Sequence, residues 1–125
     1  MNRSTTLRVL GLAISMITVL ALVGCAPKPP NETPGIVGTV KSLVPGDDRP
    51  DSILVEGGTQ AAGAVSDKAQ VRIAPSTLFF SADGKPAQAS TIVQGATVRV
   101  WFTGPVAESY PVQGTAQAVQ VMSAP

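Results

Sequence analysis

The chain has 125 residues, with 9 Lys+Arg against 8 Asp+Glu, no histidine and a single cysteine. The missing histidine excludes His-based triads and Cys–His dyads, and the lone thiol excludes an intramolecular disulfide and Cys/His metal sites. The charges alternate in sign without a basic block, which argues against nucleic acid and against polybasic attachment to anionic lipid, since both need clustered Lys/Arg.

The chain opens with Met1–Arg8 (MNRSTTLR), polar and positively charged. Val9–Gly24 (VLGLAISMITVLALVG) follows without a charge. A basic start before an apolar run that ends in small residues has the pattern of a secretory signal, and the run lies at the lower limit for a permanent span. Leu22-Val23-Gly24-Cys25 resembles the bacterial lipobox. That resemblance implies a diacylglyceryl group on the sulfur of Cys25, cleavage between Gly24 and Cys25, and Cys25 as the mature N-terminus. Arg3 and Arg8 leave with the leader, so seven basic residues then face eight acidic ones. The expected address is the extracytoplasmic face of the cell membrane, or the outer membrane in a Gram-negative cell. Ala26–Pro34 (APKPPNETP) carries four prolines and is expected to be an extended, semi-rigid tether of about 3.1 Å per residue. Asn31-Glu32-Thr33 matches a glycosylation sequon, read here as chance. The expected organisation is a signal peptide over residues 1–24, an acylated cysteine and tether over 25–34, and one small domain over 35–125.

That domain has the texture of a β-protein. Gly35–Leu43 (GIVGTVKSL) is a strand, Val44–Asp51 (VPGDDRPD) a turn cluster and Ser52–Glu56 (SILVE) a short apolar strand. Gly57–Lys68 (GGTQAAGAVSDK) is small and polar and is expected to be a long mobile loop. Ala69–Ala74 alternates, with Val71 and Ile73 on one face and Gln70 and Arg72 on the other. Thr77–Phe80 is a brief strand leading to the Asp-Gly turn at Ala82–Lys85. Gln88–Gln94 predicts one helical turn capped by Gly95. Ala96–Thr103 (ATVRVWFT) is the clearest strand, with Val98, Val100 and Phe102 facing one way and Thr97, Arg99 and Trp101 the other. Gly104–Gly114 is expected to be a loop that Gly104 lets leave the strand tightly, and Ala116–Met122 the last strand. Five or six short strands with one helical turn before the penultimate strand predict an all-β domain, a small OB-like barrel, with a small β-sandwich as the alternative.

The stretch Val100–Gly114 (VWFTGPVAESYPVQG) resembles the closing segment of the YobA-like domain of unknown function of bacterial exported and lipid-anchored proteins. Gly35–Val40 and Ile53–Val55 fit the start of the same family, while Gly57–Gly95 has no match. The resemblance implies an OB-like barrel and no established activity.

Trp101 and Tyr110 are the only Trp and Tyr, and with Arg99 and Glu108 they form the candidate ligand site. Two flat rings flanked by opposite charges suit a sugar or a peptide, or they cap the end of the barrel. Asp47, Asp48 and Asp51 are a weak candidate for Ca²⁺, but Arg49 sits among them and the spacing is not that of an EF-hand loop. Glu56, Asp83 and Glu108 have no sequence feature that joins them as a carboxylate pair, and Ser109 has neither a base nor a nucleophile elbow. No catalytic residue and no cofactor is expected. The expected function is a non-catalytic binding or interaction module at the envelope, with an accessory subunit of a membrane complex, or a Ca²⁺-dependent adhesion element, as alternatives.

Overall fold

The computed structural model describes residues 26–57 and 67–125; the leader, Cys25 and most of the expected Gly57–Lys68 loop lie outside the described residues. Six strands follow one another: β1 (Ile36–Val44), β2 (Ser52–Glu56), β3 (Lys68–Arg72), β4 (Leu78–Phe80), β5 (Thr97–Phe102) and β6 (Val112–Ser123). The helical turn is a short 3-10 segment at Ala89–Thr91.

β1, β2 and β3 form an antiparallel meander, and β5 pairs with the free edge of β1. β6 closes the sheet, running antiparallel to β5 and parallel to β3 over Val112–Thr115. The five strands form a closed barrel in the order β1-β2-β3-β6-β5, with β4 added to the second half of β6. The fold is an OB-like barrel, and closure leaves these five strands without the open edges that invite aggregation.

Alternation fills the interior. Ile36, Val40, Ile53, Val55, Val71, Val98, Val100 and Val119 are fully buried there, with Ile92 closing in from beyond the 3-10 turn. A pure period-2 pattern would send every second residue of β1 and β6 inward. Two of the three register shifts change the phase of the core. The register shifts between Val40 and Ser42, so Val40 and Leu43 both meet the core despite their odd spacing. A second shift between Trp101 and Phe102 leaves Gln117 unpaired on β6, so Ala116 packs inside while Ala118 packs outside. One extra residue in one strand is the geometry of a β-bulge.

Two expectations need correction. The Gly104–Gly114 stretch is not all loop: β6 begins at Val112, because Val112–Thr115 find backbone partners along β3. Gly95 does not cap the helical turn, whose C-cap is Ile92. Gly95 has φ +94°, and its N–H donates to the Val40 carbonyl at 2.8 Å, so it turns the chain into β5 across β1. Gly104, with φ +70°, does make the tight exit from β5.

Candidate functional site

β5 carries two of the candidate residues, Arg99 and Trp101, on its outer face, as its alternation requires. Trp101 is there, yet only 5% exposed. It packs with Phe80 of β4 and Ala118 of β6 in a cluster separate from the barrel core. Its indole N–H donates to the Glu32 carbonyl at 2.8 Å, across 69 residues of sequence. The proline-rich segment is therefore seated against the barrel. Pro29 reaches the turn after β4, where a Cβ on Gly84 would stand 3.7 Å from Pro29 Cδ. Gly35, at the end of the segment, donates its N–H to the Val100 carbonyl at 2.8 Å.

A cleft of about 300 Å³ opens beside Trp101. Its apolar wall is Trp101, Phe102, Pro105, Val106 and Val112, and Glu32, Thr33 and Gln117 supply polar groups. Phe102 lies between two glycines: a Cβ on Gly114 would stand 2.7 Å from its Cδ1, and one on Gly35 would overlap the opposite ring edge. These glycines let the ring lie flat at the mouth of the barrel. An apolar wall with a few polar groups can take a small amphipathic group, such as a sugar face or a peptide side chain.

The four predicted ligand residues are not one cluster. Arg99, two residues from Trp101 on β5, meets it in a second, more open cleft of about 430 Å³ that Lys28, Asn31, Asp83, Lys85 and Gln120 also line. Tyr110 is 68% exposed in the β5–β6 connection. Its ring lies 5.5 Å from Lys68 Nζ, and its hydroxyl is 3.4 Å from Asp67 Oδ2, so it faces the start of β3 and not Trp101. Glu108 is exposed in the same connection, beside the cis Tyr110–Pro111 peptide.

The acidic turn is organised by its arginine. Arg49 Nε lies 3.5 Å from Asp48 Oδ1, and Nη1 donates to the Ala74 and Pro75 carbonyls at 3.2 Å each. Its guanidinium carbon is 6.0 Å from the Phe79 ring centre. The turn is thus fastened to the β3–β4 connection. Among the described residues, no three acidic, Cys or His side chains converge as a metal would require, Asp47, Asp48 and Asp51 included. Glu56 pairs with Lys68 at 3.8 Å, and Asp83 accepts hydrogen bonds from the Ser81 hydroxyl and the Lys85 N–H, so these two carboxylates serve separate elements. The Ser81 hydrogen bond, then the Lys85 N–H and charge, hold the Asp83 carboxyl below its ordinary 3.8.

Sequence reasoning missed Glu32, Gln117, Val106 and Val112 in the first cleft and Lys28 and Lys85 in the second. No local signal finds them, because each reaches its cleft through the closure of the barrel or the seating of the proline-rich segment.

No curated protein and no solved structure matches the chain. A family model does match residues 47–123, from the acidic turn to the end of β6. It runs through Gly57–Gly95, the part without a match to the YobA-like pattern, and leaves out β1, which completes the barrel. The chain belongs to the family described as protein of unknown function (DUF3221).

Proposed function

We propose that this protein is a bacterial envelope lipoprotein, anchored through Cys25, whose barrel is a non-catalytic binding module. The anchoring half of the reading is supported by Leu22-Val23-Gly24-Cys25 at the end of a charge-free run. Each buried acyl methylene contributes about 0.8 kcal/mol, and two or more chains hold a protein stably where one does not. The resemblance of Val100–Gly114 to the YobA-like domain of exported and lipid-anchored proteins points the same way.

The binding half is carried by one observation: the cleft between Trp101, Phe102, Val106 and Val112, rimmed by Glu32 and Gln117. It combines concavity, aromatic wall and convergent polar groups, as small-ligand sites do. The ligand class it favours is a cell-wall saccharide or peptide fragment. Two experiments test the two halves. Metabolic labelling with a palmitate analogue should tag the wild type and not Cys25→Ala; equal labelling of both rejects the anchor. An NMR titration with muropeptide fragments should move the Trp101 indole, Phe102 and Val106 resonances; a spectrum unchanged at millimolar ligand rejects the module.

A further inference from the structure

Lys28, Lys85 and Arg99 are far apart in sequence and form no basic block, yet the fold brings all three to one open cleft on the outer face of β5. Lys28 arrives on the proline-rich segment, Lys85 on the turn after β4 and Arg99 on β5. The cleft holds one acid, Asp83, with Lys85 Nζ 4.0 Å from its carboxylate. Glu32 lines the neighbouring cleft. Three cations against one anion leave this face positive on a mature chain that carries a slight acidic excess.

The seating of the segment adds a length. Pro29 lies at the Gly84 turn, and the indole of Trp101 holds Glu32. Only three residues, Ala26 to Lys28, then separate Cys25 from the seated Pro29, and the four Cα-to-Cα steps between them reach about 14 Å when fully extended. A lipid on Cys25 could not let the barrel wander: the seated face stays within about 14 Å of the anchor, less than two of the ~8 Å lengths over which charge is screened at physiological salt.

We infer that the proline-rich segment is a docked strap rather than a free spacer, and that it holds the Lys28–Lys85–Arg99 face against the anionic head groups of the anchoring membrane. The inference rests on the reading of Cys25 as acylated. The lipid supplies the attachment. The three cations do not have to bind the membrane alone; they select which face of the barrel turns toward it. At a surface potential typical of anionic leaflets each basic residue favours contact by about fivefold. The exposed Tyr110, which faces the start of β3 and does not line this cleft, is left free for partners in the envelope.

Trp101 is the chain's only tryptophan and lines the same cleft, so it reports directly. The full-length protein, processed and acylated in its host, is reconstituted into vesicles carrying a head-group spin label, with either zwitterionic or phosphatidylglycerol-rich lipid. Trp101 emission should be strongly quenched in the anionic vesicles and less in the zwitterionic ones. Added salt should reduce the difference. Lys28→Gln, Lys85→Gln and Arg99→Gln, all at exposed positions, should each lower the face-down population about fivefold while leaving the emission in detergent unchanged. Equal quenching in both vesicles, or quenching indifferent to the three substitutions, overturns the inference while the anchor stands. The mass of the N-terminal peptide separates the two ideas: a Cys25 without acyl chains, and protein that does not float with vesicles, overturns the anchor reading itself.

Discussion

The barrel interior and the cluster around Trp101 are built by opposite means. The interior is aliphatic, lined by Ile and Val from every barrel strand, and most of these side chains arrive there by the alternation of their own strand, phased by the register shifts in β1 and β6. The outer cluster is mostly aromatic, with Phe80 and Trp101 against Ala118. It is assembled from β4, β5, a bulge in β6 and the strap that precedes β1. A barrel of about 90 residues has a thin core. The outer cluster adds a second buried region and fixes the N-terminal segment in the same stroke.

The barrel interior is the more sensitive of the two regions. Val100→Asp places a carboxylate in the barrel interior at a position with no exposure. Burying an unpaired charge costs several kcal/mol, a sum comparable to the whole stability of so small a domain. The variant is expected to lose its dispersed NMR spectrum and its cooperative transition; a well-folded Val100→Asp would mean that β5 is registered the other way round. Phe80→Ala empties the outer cluster instead, where Phe80 is also fully buried. A loss of about 3 kcal/mol in urea unfolding is expected, with the barrel still folded and Trp101 emission shifted to the red. An unshifted emission would show that Trp101 does not depend on β4.

Trp101→Phe keeps the ring and removes the indole donor to Glu32. It should cost about 1 kcal/mol and speed proteolysis within residues 29–33. Equal proteolysis rates would mean that the indole hydrogen bond does not hold the strap. The smallest effect belongs to the exposed turn beneath the strap. Asp83 titrates below 3.8 in the folded chain, held there first by the Ser81 hydroxyl. A carboxyl with a lowered folded value stabilises fully above its unfolded value and loses that contribution as pH falls through the lowered one. Wild-type stability should therefore decline slightly more than that of Asp83→Asn below pH 3.8, and the two curves should run parallel above it.

The sequence made most of the barrel readable. Alternation in Ala69–Ala74 and Ala96–Thr103 separated inward from outward residues, and the turn residues at Val44–Asp51 and Ala82–Lys85 set the boundaries. Three features escaped it. Gln113 and Gly114 have no strand pattern, and become part of β6 because β3 offers them backbone partners. Gln117 is an ordinary polar residue whose bulge inverts the faces of the residues from Ala118 to Val121. Trp101 reads as an outward-facing residue, a ligand platform or a cap on the barrel end, and nothing near it in sequence discloses that its indole N–H meets the Glu32 carbonyl. Period-2 reasoning sees one strand at a time, and each of these depends on a partner elsewhere in the chain. The candidate site suffered most: pairing Trp101 with Tyr110 was reasonable by composition, but the two rings lie in different surroundings.

The seating of the strap on Trp101 underlies both the cleft and the orientation toward the membrane, and hydrogen exchange of the Trp101 indole N–H tests it directly. With its ring 5% exposed and its proton held by the Glu32 carbonyl, that N–H should exchange far more slowly than a free indole, and removal of residues 26–33 should restore fast exchange. Exchange at the free-indole rate in the intact chain would mean that the proline-rich segment is not seated on the barrel and that the strap does not exist.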